Sequence, residues 1–545
     1  MQLTAPLRRP LEGEHFHVIV IGGGINGVAI ARECARRGRR TLLVEQHDFA
    51  AGTTSRSTRI IHGGLRYLEH GEIGLVRSSL RERQRLLRER PHLVHPVRFL
   101  LALDENSRRK ALTVRTGLWL YRMLGGPARS RNGHGDEYKL HRLLDSGRRW
   151  SVFDFEDAQC EFPERLVAEW LVEAVEAGAE ARNHAQVLAV NVFSGRAKGV
   201  LLRDQISGKD ERVEANWIIN ATGPWADRLC QRSRIKTSQA MIGGVRGSHI
   251  VLPRFTGAPN AAIYTEAIDG RPIFMVPWND QVLVGTTEVG HTGDPAKVEP
   301  SAEEIQYLVR SVQHLFPTAG ISHSDISFAF AGVRPLPFSS GSKPSEVSRR
   351  HYLHDHKDDG AAQMISVIGG KLTTAASLAR ECADRIGARS QSSPSAVALV
   401  DEDPDPILNR YVLDIAQTAS ISESTARALL EWHGSRTQHV AALAAGGAVM
   451  KAPLCRHSEH IVAEAVYAIS RECAVTLADV LLRRVPVALG ACWSETCSRD
   501  AAARIGAALK WSNEETAEQL EHFECERVAF LRKPTAGVLL EAAAD

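Results

Sequence analysis

HVIVIGGGINGVAIARECARRGRRTLLVE, residues 17–45, is the stretch on which the fold turns. Val18 to Ile21 make an apolar run of the kind buried on both faces of a parallel sheet. Gly22, Gly24 and Gly27 follow at G-x-G-x-x-G spacing. In that spacing the first glycine permits a tight turn, the second lets a pyrophosphate approach the backbone, and the third lets a helix pack on the strand. The helix N-terminus then offers free N–H groups and a positive dipole end to phosphate. Gly38 stops the helix, Thr41 to Val44 form a second strand, and Glu45 ends it in position for a ribose hydroxyl. The glycine spacing alone is a weak signal; with strand, helix, second strand and terminal acid around it, it reads as a dinucleotide site. Glu45 would repel a 2′-phosphate, which argues against NADP. This unit by itself leaves NAD and FAD open.

A second loop, AAGTTSRSTRIIHGGLRYLEHGE at 50–72, follows at once. Thr53, Thr54, Ser55, Ser57 and Thr58 bring hydroxyls, Arg56 and Arg59 charge, and Gly63 and Gly64 room for close approach. An NAD site rarely needs another phosphate-clamping loop so soon, which favours flavin; the bland alternative is a mobile polar loop.

Further along, 72–125 reads as mainly helical, 165–178 as a helix and 216–221 as a strand. From 241 to 290 short β-branched and aromatic runs such as Ser248–Leu252 and Ile273–Trp278 indicate an inserted antiparallel sheet. Ile365 to Gly370 is another strand and glycine turn leading into a helix. The fold class is α/β: a Rossmann-type unit over 16–400, with FAD-binding segments at about 16–75, 150–240 and 325–400 and substrate segments at about 76–149 and 241–324. Residues 401–406, Asp-Glu-Asp-Pro-Asp-Pro, read as a linker, and 407–545 as a helical domain.

With 67 basic and 64 acidic residues, the net charge of +3 gives no case for nucleic acid. Nine cysteines without a CxxC pair suggest reduced thiols in a cytosolic setting. The N-terminus has no apolar signal core, and no apolar run approaches the roughly 20 residues that span a bilayer. His351, His354 and His356, near Asp355 and Asp358, look metal-like but lack an evident partner ligand; Cys492 and Cys497 read as inert; no metal site is expected.

The motifs VIGGGINGVAIA, TTSRSTRIIHGGLRYLEHGE, NATGPWAD (220–227), GSHIVLPR (247–254), PWNDQVLVGTTE (277–288), AGVRPL (331–336) and GGKLTT (369–374) occur in order along the chain. Together with AEAVYAISRECAVTLADVLLRR at 463–484, they make it resemble the FAD-dependent glycerol-3-phosphate dehydrogenases of the D-amino-acid-oxidase-like flavoproteins. The resemblance implies non-covalent FAD, with Gly22, Gly24, Ile25, Asn26 and Gly27 at the pyrophosphate and Glu45 and Gln46 at the ribose. Thr54, Ser55, Ser57, His62 and Gly63 would line the flavin, with Gly332 and Arg334 beside it. Ala221, Thr222 and Gly223 would close the adenosine side, and Gly370, Lys371, Leu372 and Thr373 the pyrimidine end. Arg66, Tyr67, His249, Arg334 and Lys371 would face glycerol 3-phosphate.

Of these, Arg334 suits the phosphate, because its planar fork binds two oxygens at once. Lys371 suits the flavin N1–C2 edge, and His249 the hydroxyl proton, with His62 as its rival. The chain departs from the family at Ala375 and Ala376 (usually Tyr-Arg), at 162–166 and at Glu288 (usually Asp). Residues 107–124 form a basic amphipathic segment suited to an anionic membrane surface, where the family passes electrons to a quinone. The implied location is cytoplasmic, on the inner face of the cell membrane, and a homodimer is compatible with it. An oxidase using O2, a dehydrogenase of a related phosphorylated polyol, and a flavin-binding redox-responsive interaction protein are the competing readings.

Overall fold

The computed structural model describes residues 8–125, 135–340, 347, 349–388 and 404–533. β1 (His15–Ile21) lies between β2 (Thr41–Val44) and the strand Asp210–Asn220, parallel to both. Its alternate residues enter different cores: Val18 and Val20 pack with α1 (Ile25–Arg36) and the helix Ala375–Arg385, while Ile19 and Ile21 pack with Val187, Val200 and Met364. Burial on both faces is why the run carries no polar residue. The sheet continues through Met364–Ile368 and Tyr352–Asp355 on one side and Glu180–Arg182 on the other.

A second, nine-stranded sheet is antiparallel except where Ala262–Glu266 runs parallel to Val94–Asp104. It reaches past the expected segment boundaries. Trp150–Cys160 pairs along its whole length with Val94–Asp104, and Phe328–Pro337 pairs with Ile242–Pro253, so both belong to this sheet and not to the nucleotide-binding one.

Val94–Asp104 also corrects the helical reading of 72–125. The helices there are Ile73–Glu89 and Ala111–Gly125, and between them Phe99 to Leu103 are buried in a central strand. The remaining described chain is helical from Pro404–Ala419 to Asn513–Phe530. Pro404, Asp405 and Pro406, expected in a linker, open the first of these helices; residues 401–403 lie outside the described chain.

Candidate active site

The three motif glycines divide their work as the spacing requires. Gly22 has φ +109°, and a Cβ there would sit 2.5 Å from the Ala221 carbonyl oxygen. A Cβ on Gly27 would lie 1.8 Å from the Gly22 carbonyl, so this glycine sets the contact between helix and strand. Gly24 is open: the nearest atom to its Cβ would be Thr54 Oγ1 at 3.4 Å. It caps α1 without a side-chain hydrogen bond, which leaves the first turn facing a cavity of about 1040 Å³. Glu45 is held at the edge of this cavity by the Gly23 and His47 amides, which donate to it at 2.6 and 2.9 Å. Burial pushes its carboxyl above the usual range.

The second loop closes over the helix N-terminus. Ile25 N–H donates to Thr54 Oγ1 at 3.1 Å, and Thr53 Oγ1 donates to the Val333 carbonyl at 2.9 Å. Behind it, Arg59 makes a two-point, fully buried ion pair with Glu164, both contacts at 3.0 Å. Glu164 therefore gives the unusual 162–166 segment a role in holding this loop. Its neighbour Arg165 pairs with Glu472 in the helical domain at 2.8 and 2.9 Å.

Of the residues expected at the cofactor, Gly22, Gly24, Ile25, Asn26, Glu45, Gln46, Thr54, Ser57, His62, Ala221, Thr222, Gly223, Gly332, Arg334 and Gly370 to Thr373 border the long cavity. Gly27, Ser55 and Gly63 stand behind it. Ser55 donates to the Ala50 carbonyl at 2.7 Å, and Gly63 packs on Leu80 and Tyr121, its N–H donating to the tyrosine oxygen at 2.8 Å. Ser55 and Gly63 shape the loop, Gly27 the contact of helix with strand, and none of the three lines the cavity.

A smaller chamber of about 320 Å³ adjoins the long cavity and shares Thr58, His62, Tyr67, Phe274, Arg334 and Arg349 with it. Arg66, Glu72, Asp157, Arg271 and Glu288 complete its charged wall. Arg334 donates to neutral acceptors, the Thr286 hydroxyl at 2.8 Å and the Thr287 carbonyl at 3.3 Å. Burial and the nearby Arg349 lower it to about 10. Glu288 pairs with Arg349 at 2.6 Å, so this departure from the family lies in the chamber itself. Ala375 and Ala376 do not: they begin a helix packed into the first core.

His249 is 2% exposed, stacks on Phe330, and meets Thr58 Oγ1 through Nε2 at 2.9 Å. Burial, then Arg334 and Arg59, push its imidazole down to about 3, so it is neutral at physiological pH. His62 is likewise held at about 3 by burial and Lys371. Lys371 Nζ lies 3.9 Å from the centre of the Tyr67 ring, and burial with Arg349 lowers its ammonium to about 7.

Thr58 and Arg349 were not among the expected site residues. Thr58 stood in the hydroxyl-rich run without a sign of its partner. Arg349 lies outside the recognised motifs, beside the segment that carries His351, His354 and His356. There His354 and His356 both bond Asp359, at 2.7 and 2.8 Å, and His356 also reaches Ser366 at 2.7 Å. His351 pairs elsewhere, with Glu381. The partner of this pair is therefore Asp359, not Asp355 or Asp358.

Asn26 Oδ1, His249 Nδ1 and Lys371 Nζ are among the buried side-chain atoms of the described residues that have no hydrogen-bond partner. All three belong to the long cavity. A Cβ on Gly370, at φ +102°, would press to 2.4 Å from Asn26 Nδ2. A space with a glycine-lined phosphate end that holds the unpaired Asn26 Oδ1, an acid near its rim, and the unpaired His249 Nδ1 and Lys371 Nζ elsewhere on its wall fits a flavin dinucleotide.

Fold and site together define an FAD-dependent oxidoreductase, and the family model described as FAD dependent oxidoreductase matches residues 17–383. A second model, the C-terminal domain of alpha-glycerophosphate oxidase, matches residues 399–516. A glycerol-3-phosphate dehydrogenase of Synechocystis is 36% identical, covering 88% of this chain and 90% of its own. An aerobic glycerol-3-phosphate dehydrogenase of Bacillus subtilis is 31% identical over 86% of each. A D-erythritol 1-phosphate dehydrogenase of Brucella abortus is 34% identical over 87% of this chain and 94% of its own. The glycerol-3-phosphate dehydrogenase of Bacillus halodurans, solved with FAD, shares the fold at TM-score 0.75 and 22% identity, covering 95% and 96% of the two chains. The chain belongs to the glycerol-3-phosphate dehydrogenase family of FAD-dependent oxidoreductases.

Proposed function

We propose that this enzyme oxidises sn-glycerol 3-phosphate to dihydroxyacetone phosphate and passes the electrons to a membrane quinone. The observation that carries the reading is Arg334, which borders both spaces and spends its hydrogen bonds on neutral acceptors. A charge so placed is prepared for a dianion arriving beside the cofactor. Bound FAD supplies the hydride acceptor.

The chain supplies the rest. Arg334 and Arg349 hold the phosphate, neutral His249 takes the hydroxyl proton, and the Lys371 ammonium offsets negative charge at the far end. The flavin-binding and substrate segments share 16–400, and the helical domain meets them at the long cavity through His522 and Glu526.

For the acceptor, one face of the helix Ala111–Gly125 supports peripheral docking on the inner side of the cell membrane. Leu112, Trp119 and Met123 are 76%, 61% and 65% exposed there, at helical spacing. Among the described residues, no helix is long and apolar enough to cross a membrane.

A longer phosphorylated polyol is the second reading, favoured by Glu288 in the chamber wall and by the similarity to the erythritol-phosphate enzyme. Anaerobic mixing with glycerol 3-phosphate, erythritol 1-phosphate and glycerol decides between them: fast flavin bleaching is expected with the first and little with glycerol. Faster bleaching by the four-carbon substrate would reverse the assignment, and peroxide formed at the rate of substrate loss would make the enzyme an oxidase. Arg334→Ala should keep the flavin spectrum and lose about 10- to 150-fold in kcat/KM, from the roughly 1.5–3 kcal/mol of a charge-assisted hydrogen bond.

A further inference from the structure

The helical domain holds a sulfur–nitrogen cluster away from the cavities. Cys455 and His457 lie on the turn between the helices Ala448–Lys451 and Val462–Arg471. The turn is closed by Leu454 N–H donating to the His460 carbonyl at 2.8 Å and Ser458 N–H to the Cys455 carbonyl at 3.0 Å. Cys497 stands in the first turn of the helix Glu495–Leu509, capped by Ser494, where the positive end of the helix favours a thiolate. Arg504 of the same helix donates to the Pro453 carbonyl and ties helix to turn.

Across this junction the Cys455 and Cys497 sulfurs are 3.3 Å apart, and Cys455 Sγ is 3.7 Å from His457 Nδ1. One ligand atom from each of the three residues lies within 4.8 Å of the other two. Zinc–sulfur bonds of about 2.3 Å in a tetrahedron put two sulfurs about 3.8 Å apart, so small side-chain adjustments would close three ligands around one ion.

We propose that Cys455, His457 and Cys497 hold a zinc ion that clamps the 452–461 turn to the 495–509 helix. The fourth position opens on the exposed side, where Cys492 borders the cluster with its carbonyl 3.7 Å from the Cys497 sulfur. Binding releases the two thiol protons and ties metal affinity to folding of the domain. Spacing had hidden the group, because Cys455-x-His457 and Cys497 are separated by all the helical segments from Val462 to Leu489 and the sequence showed only an unremarkable Cys492/Cys497 pair. The Asp48, His184 and Asp479 group is different in kind: Arg483 and Arg484 already occupy its carboxylates.

The test is metal analysis of untagged, FAD-loaded enzyme, purified without chelator and desalted. About one zinc per chain is expected. Cys455→Ser and His457→Ala should each abolish it while flavin content stays unchanged; His457 is exposed, so its variant tests the ligand without disturbing the core. Cobalt added to chelator-stripped enzyme should give tetrahedral thiolate d–d bands to the red of flavin absorption, and His457→Ala should lose them. Three results would overturn the site: reduced protein that takes up no zinc from zinc sulfate, zinc retained in the Cys455→Ser variant, or a Cys455–Cys497 disulfide in peptide maps of freshly isolated enzyme.

Discussion

Gly24 and Gly27 sit three residues apart and test different things. Valine at 24 would extend its methyl groups from a Cβ whose nearest neighbour is Thr54 Oγ1 at 3.4 Å, into the space a pyrophosphate would need. Gly24→Val should therefore fold and leave the purified protein colourless; a yellow, FAD-replete variant would move the pyrophosphate elsewhere. Gly27→Ala drives a Cβ into the Gly22 carbonyl and should not fold. Lys371 is the residue whose charge is most open to pH. Burial and Arg349 depress its ammonium to about 7, so the cation is complete below that pH and is lost as pH rises through it. If the cation is what the reaction uses, kcat/KM falls as pH rises through about 7. Lys371→Arg keeps its charge and should remove that limb. His249, near 3, adds no limb in the working range. A profile rising through neutral pH would instead make the Lys371 amine the proton acceptor. Sequence showed Gly24 and Lys371 as members of motifs. It could not show which side each would face, and so placed Ser55 and Gly63 at the flavin when their polar groups are turned to Ala50 and Tyr121.

At the scale of elements, the helix Ala111–Gly125 keeps its expected stripe but changes the expected source of charge. Arg109 is bound to Glu69 and Glu266, and the Arg108 amide also donates to Glu266, so this pair anchors the segment to the second sheet. Val114, Leu118 and Tyr121 face inward, while Leu112, Trp119 and Met123 face out. Replacing these three by serine should release the protein from anionic vesicles and slow quinone reduction, while flavin reduction by substrate and transfer to a soluble dye persist. Co-sedimentation and the two acceptor assays read this out; unchanged binding and quinone rate would leave the helix a scaffold. The same region shows where periodicity misleads. Val94–Asp104 is buried over much of its length, as the central strand of a sheet is, and such a run loses the alternation that marks a half-exposed strand. Flanked by two Arg- and Leu-rich helices, it read as their continuation. β1, α1 and β2 were legible because local glycine chemistry fixes them; Trp150–Cys160 and Phe328–Pro337 were misassigned because their sheet is set by partners many tens of residues away.

The whole molecule is joined across its helical domain by buried charge as well as apolar surface. One core contains Val251, Trp278 and Phe330 of the second sheet together with Trp432, Leu481 and Phe530, so neither side buries its apolar face alone. His522 and Glu526 of the last helix border the long cavity, which ties the domain to cofactor retention. At the centre, Asp48, three residues after Glu45, accepts from Arg484 at 2.7 and 2.8 Å, from Arg483, and from Asn183 at 2.9 Å. Asp48→Ala would leave two buried guanidiniums without this carboxylate, and removing one partner of such a pair costs about 3–5 kcal/mol. Asp384→Asn supplies the comparison: that carboxylate also meets an arginine, Arg37, but is 70% exposed, and such pairs are worth about 0–1 kcal/mol. Denaturant unfolding followed by flavin release should therefore shift to markedly lower denaturant in Asp48→Ala and scarcely move in Asp384→Asn. Because Asp48 sits on the loop that borders the cavity, its variant should also release FAD before the helical signal is lost. Equal, small shifts in both variants would mean that the domain is held by its apolar core alone, with the buried charges fixing orientation and contributing little to stability.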